Sequence, residues 1–161
     1  MSIAALEVVV LIGIPASGKS TFHRRRLAAT HALVSKDLFP NARNRDARQA
    51  RLLEEALSEG RSVTVDNTSP TVEERAALIA IARRHEARVV GYYFATPMAD
   101  ALARNARREG RARVPDVGVF AIAKKMHRPS RAEGFDALYC VRVVGDDFAI
   151  EEWKEDIDEA R

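Results

Sequence analysis

Between a run of β-branched residues and a stretch of helical character stands Gly13-Ile-Pro-Ala-Ser-Gly18-Lys19-Ser20, a complete GxxxxGK[ST] element. No other feature narrows the fold of this chain as much. Glycines at both ends let the backbone turn successive N–H groups inward, forming a nest for phosphate oxygens. A helix leaving that turn adds the positive end of its dipole. The element is credible only when a strand feeds it and a helix follows it. Here Glu7–Ile12 (EVVVLI) reads as a strand buried on both faces, and a helix is predicted from Ser20 to about Thr30. In that setting Gly13, Pro15, Ala16, Ser17 and Gly18 build the cradle. Lys19 brings a mobile positive charge to the outer phosphates, Ser20 offers Mg2+ a hard oxygen, and Thr21 reaches the innermost phosphate.

The rest of the chain alternates strand and helix. A weak second strand is predicted at Ala32–Lys36, followed by a polar break at Asn41–Asp46. Ala50, Leu53 and Leu57 recur at helical spacing over Asp46–Glu59, which Gly60 closes. Ser62–Asp66 alternates as a third strand, and Thr71 with Glu74 forms a capping box ahead of Ala76, Ile79 and Ala82. A fourth strand is predicted at Arg88–Ala95, a helix from Pro97 to about Glu109, a basic loop at Arg111–Pro115, a short helix at Val117–Met126 and a fifth strand at Ala137–Val144. Ile150, Trp153 and Ile157 fall at helical spacing, so an acidic last helix is predicted over about 147–161, anchored by Trp153. Alternation of this kind gives an α/β fold, a parallel sheet with helices on both faces. At 161 residues the chain is read as one domain, with a lid at about 98–126.

Composition removes several classes. The longest purely apolar run, Val8–Ile12, is far short of the roughly 20 residues of a membrane helix. Glu7 stands just ahead of it and no basic segment precedes it, which argues against a secretory signal. Cys140 is the single cysteine, so no internal disulfide forms, and the four histidines lack metal-ligand spacing. These features suit a cytoplasmic protein without a membrane partner. Residues 1–145 hold 24 Lys and Arg against 15 Asp and Glu, a net +9, while 146–161 hold 2 against 8, a net −6. The basic body suits an anionic partner or is simply a solvated surface.

What the chain does with a nucleotide is narrowed by absence. No Asn-Lys-x-Asp follows a later strand, as guanine readers of the common kind require, and the third strand ends in Asp66-Asn67 rather than the Asp-Glu of AAA-type motors. A small kinase remains. Such an enzyme needs a carboxylate near the acceptor hydroxyl and positive charge on the phosphoryl group in flight. Strand ends line the nucleotide crevice of a parallel sheet, so Asp37, just after the second strand, is the candidate general base, or else satisfies a turn. Asp66 ends the third strand and, with Asn67 and Thr68, forms the acceptor rim or an Asx-type turn. Asp37 and Asp66 are both candidates for holding the water shell of Mg2+ at Ser20. Arg104 and Arg108 share a helix face and can close on the phosphates, heading a cluster with Arg107, Arg111 and Arg113.

Taken together, GIPASGKSTF, SKD, VDNTSP…ER, ALARNARR, RVP and RPSRAEGFDALY resemble the kinase module of polynucleotide 5′-hydroxyl kinases, over about residues 8–144. The resemblance implies a P-loop kinase fold with strand order 2-3-1-4-5 and ATP as donor. It implies Lys19 and Ser20 on phosphates and Mg2+, Asp37 as base, Arg104 and Arg108 as lid arginines, and a 5′-hydroxyl of DNA or RNA as acceptor. Some members place an arginine three residues after the base to grip the acceptor; here Pro40 stands there, with Arg43 and Arg45 as substitutes. A small-molecule acceptor (nucleoside, sugar or antibiotic) and a nucleotide-binding module without transfer are the alternatives.

Overall fold

The computed structural model describes residues 5–155. Six strands form one sheet: β1 (Glu7–Ile12), β2 (Ala32–Val34), β3 (Val63–Asp66), β4 (Arg88–Phe94), β5 (Ala137–Val144) and β6 (Asp147–Glu152), in the order β2-β3-β1-β4-β5-β6. The first five are parallel and follow the expected 2-3-1-4-5 order. β6 returns antiparallel to β5, with Val144 opposite Asp147 across the turn. The sheet therefore has six strands where five were predicted.

The physics of the centre is simple. β1 is paired on both edges, and Val8 through Ile12 are fully buried. Each such side chain contributes about 1.5–3 kcal/mol by leaving water. Five helices flank the sheet: α1 (Lys19–Phe22), α2 (Arg45–Ser58), α3 (Val72–Arg84), α4 (Met98–Ala106) and α5 (Asp116–Lys125). One face of the sheet packs Val8, Val10 and Ile12 with Leu53 and Leu57 of α2 and Leu78 and Ala82 of α3. The other packs Val9 and Leu11 with Phe22, Leu27, Phe94 and Val141.

One helix prediction and one strand prediction shift. The first helix does not run unbroken to Thr30: α1 passes into a π-helical turn at His23–Leu27 and stops. Ala28 N–H donating to the His23 carbonyl at 2.8 Å closes that wider ring. The second strand ends at Val34, because Lys36–Leu38 winds into a 3-10 turn. The capping box at Thr71 and Glu74 is present as predicted.

The acidic last helix is a correction. Residues 147–152 are strand β6, and Ile157 lies outside the described residues. Gly145, at φ 59°, opens a two-residue hairpin turn that sends the chain back along β5. Trp153 is an anchor, but of this strand: it is 2% exposed, its N–H donates to the Leu138 carbonyl at 2.9 Å, and its ring meets Tyr93 edge-on. Arg25 and Arg26 fasten the hairpin to the helix leaving the glycine turn, through the Asp146 carbonyl and the Asp147 carboxylate. Cys140 is buried core.

Candidate functional site

The loop between β1 and α1 is held open by special backbone positions. Gly18 has φ 102° and Ala16 φ 61°, both left-handed. A Cβ on Gly13 would lie 2.8 Å from Ser17 Oγ and 3.0 Å from Phe94 Cβ, so only glycine fits. The Gly13 N–H donates to the Thr68 carbonyl (3.1 Å), and Thr96 Oγ1 donates to the Ser17 carbonyl (3.0 Å). The cradle is thus braced from β3 and β4 before any ligand enters.

Lys19 folds back over this loop. Its Nζ donates to the carbonyls of Gly13 (2.9 Å) and Ile14 (2.7 Å) and to Ser17 Oγ (3.3 Å). Burial brings its pKa down to about 8, partly countered by Asp66 and Asp37 and reinforced by Arg108. Ser20 donates to Asp66 Oδ2 at 2.7 Å. A hydroxyl beside a carboxylate is a hard-oxygen pair that fits Mg2+ retaining most of its waters. Among the described residues no group of three or more His, Cys, Asp or Glu could hold a metal. The remaining positions around a cation at Ser20 would therefore fall to phosphate and water.

A cleft of about 1320 Å³ runs from this loop, and Pro15, Ala16, Ser17, Lys19, Ser20 and Thr21 form its phosphate end. Asp37, Asp66, Asn67 and Thr68 line it as well, so the candidate base and the rim share one space with the loop. The Asp37 side chain is 94% exposed, and its Oδ1 lies 3.8 Å from Arg45 Nη2. Its turn is set by the Ser35 hydroxyl, which accepts from the Asp37 N–H (3.3 Å). Asn67 holds the same turn: its Oδ1 accepts from the Lys36 N–H at 3.0 Å while its Nδ2 donates to Gln49.

The arginines divide. Arg108 and Arg111 line the cleft; Arg104 does not, yet its Nη1 lies 3.6 Å from where a Gly18 Cβ would stand, at the opposite flank of the loop. Arg107 and Arg113 are exposed outside the cleft. Arg43 is also exposed and outside it, whereas Arg45 is on its wall. The reason is local: Asn44 caps α2, accepting from the Ala47 N–H at 3.0 Å, so Arg45 is the first helical residue and turns toward Asp37.

Two residues escaped sequence reasoning. Asn105 is fully buried on α4; its Oδ1 accepts from the Val114 N–H at 2.9 Å and its Nδ2 donates to the Val114 carbonyl. It closes the base of the loop between α4 and α5. Arg75 is fully buried and paired with Glu133. An amphipathic helix face normally buries no arginine, and the signal for both lay only in motifs already quoted, Arg-Asn and ER.

The AAA_33 family model, described as an AAA domain, matches residues 8–129. The chain belongs to that family. This AAA_33 chain is 28% identical over 133 residues to the bifunctional polynucleotide phosphatase/kinase of Schizosaccharomyces pombe, covering 80% of itself and 32% of that protein. It thus spans about a third of the length of that relative. The crystal structure of a fungal RNA kinase superposes with a TM-score of 0.67 at 16% identity, over 91% of this chain and 78% of the other. A gluconokinase from Sinorhizobium meliloti does so with a TM-score of 0.61 at 15% identity, over 89% and 85%. The fold is that of the P-loop kinases. Its structural neighbours include kinases named for RNA and for a sugar acid. No helix among the described residues is long and apolar enough to cross a membrane.

Proposed function

We propose that the chain is a phosphotransferase that moves the terminal phosphoryl group of ATP to a hydroxyl, with a 5′-hydroxyl end of DNA or RNA as acceptor. One observation carries the reading: Asp37 opens onto the same cleft as Lys19, Ser20 and Asp66, with Arg24, Lys36, Arg45, Arg108, Arg111 and Lys125 around it. A carboxylate beside a phosphate cradle suits proton removal from an alcohol, and the cations suit a polyanion. The similarity to a polynucleotide phosphatase/kinase supports the acceptor.

Each residue then has a task. Backbone N–H groups of residues 16–19 take the phosphate oxygens, and Lys19 leaves the Gly13 and Ile14 carbonyls for the outer phosphates. Ser20 and Asp66 would hold Mg2+, which would neutralise phosphate charge. Asp37 accepts the hydroxyl proton as the oxygen attacks. Arg108, joined by Arg104 on closure, stabilises charge on the phosphoryl oxygens. Arg45 takes over the acceptor grip for which Pro40 has no charge.

A small-molecule acceptor is the second reading. Ala50, Ala77, Leu78, Ile81 and Ile122 give the far wall an apolar surface, and Glu73 adds a carboxylate ill suited to phosphates. An acceptor screen with γ-labelled ATP separates the readings. Label on 5′-OH oligonucleotides supports the first. Label only on small alcohols, with no inhibition by oligonucleotide, replaces it with the second.

A further inference from the structure

The segment after β3 is tied down residue by residue. Asp66 meets Ser20, Asn67 holds the Lys36 turn, the Thr68 carbonyl takes the Gly13 N–H, and the Pro70 carbonyl takes the His127 N–H at 2.8 Å. The fifth tie is at Ser69, a non-glycine residue in the left-handed region at φ 44°, whose carbonyl accepts from Arg75 Nη1 at 3.0 Å. Such a conformation persists only when its surroundings hold it.

Arg75 is fully buried on α3, and Glu133 is 8% exposed. The pair is bidentate, Nε to Oε1 at 2.8 Å and Nη2 to Oε2 at 3.2 Å, and Oε2 also accepts from the Ser130 N–H at 2.9 Å. A buried ion pair is a poor stabiliser, since an apolar replacement of similar shape is often no less stable. Its particular contribution here is geometric: the fork on Glu133 fixes the guanidinium so that Nη1 meets the Ser69 carbonyl, next to Thr68 and three residues from Asp66. The two motif fragments ER and RAEGF, unused by the chemistry above, meet in this contact.

We propose that the Arg75–Glu133 pair is a positioning device for the Asp66–Ser20 pair, and so sets the affinity for the Mg2+ that accompanies bound nucleotide. This rests on the assignment of Ser20 and Asp66 to Mg2+. Direct partners of metal-binding groups change metal affinity by about 10–100-fold when altered. Arg75 acts one step further out, through the Ser69 carbonyl, so the low end of that range applies.

The test is titration of a fluorescent ATP analogue, with Mg2+ and with chelator, on wild type, Glu133→Gln and Glu133→Asp. The aspartate keeps the buried charge and so preserves the fold, but shortens the fork. Both variants should need about 10-fold more Mg2+ for half-saturation while their affinity without Mg2+ stays at the wild-type value. A lowered thermal midpoint with an unchanged Mg2+ requirement makes the pair purely structural and overturns the proposal, as does no change in either quantity. Wild type that binds the analogue without regard to Mg2+ removes the Ser20–Asp66 assignment, and this proposal with it.

Discussion

Lys19 and Asp37, to which we assign phosphate binding and proton removal, sit in opposite environments. Lys19 is buried and titrates at about 8, while Asp37 stands in the open cleft. Between pH 8 and its ordinary 10.5, Lys19 is more protonated in the unfolded chain than in the fold. Its burial penalty is therefore full below about 8 and fades as pH rises to 10.5, so this group makes the nucleotide-free protein more stable over that window. Nucleotide phosphates demand the ammonium form, so ATP affinity should fall as pH rises through about 8. ATP binding above that pH should take up a proton, measurable by calorimetry in two buffers of different ionisation heat; equal heats would show that Lys19 is not the titrating group. Asp37→Asn should lower acceptor-dependent turnover by about 10²–10⁴ and leave ATP affinity unchanged. Turnover near wild type would move the base elsewhere. The phosphate loop was legible in sequence because each of its positions answers to local backbone chemistry. The choice of Arg45 over Arg43 was not, because it hangs on where Asn44 starts a helix.

At the level of elements, the five parallel strands were legible because each carries a burial pattern that only one face or two faces of a sheet can satisfy. The final element was misread because Ile150 and Trp153 match a helical spacing, while the Gly145-Asp146 turn ahead of them outweighs it. A hairpin turn fixes register by pairing, and pairing outranks a three-residue periodicity. The segment proposed as a lid joins α4 to α5. Asn105 ties its loop to α4 by two hydrogen bonds to Val114, both partly buried. Asn105→Ala leaves those backbone groups unpaired, which costs about 1–3 kcal/mol locally. Limited proteolysis should then cut faster at the arginines of 107–113, with global unfolding shifted less. Protection equal to wild type would show that the loop is held by something else.

The whole molecule is a sheet whose two faces are packed by different helix sets, and its tolerance is tightest where β4 meets the segment before β5. Gly91 has no side chain because one would sit 2.7 Å from Leu138 Cδ1 and 2.8 Å from Phe135 Cε1. Gly91→Ala should destabilise the fold by about 1–3 kcal/mol, read from denaturant midpoints. The single tryptophan, Trp153, is buried and reports that loss directly by fluorescence. An unaltered midpoint would mean that Phe135 yields. The sheet order leaves β6 on a boundary with β5 as its neighbour, and most of its side chains are exposed. Its unmatched main-chain groups form a template onto which another molecule could zip. On that template Asp147 is paired with Arg26 and Glu151 with Arg142, so charge along this strand is largely balanced and does little to keep two copies apart. Colloidal behaviour follows from the whole chain, which carries a net +3 at pH 7 and reaches neutrality near pH 9.3. Acid adds positive charge and should keep a solution clear, alkali toward that pH should turn it cloudy, and light scattering would register the reverse.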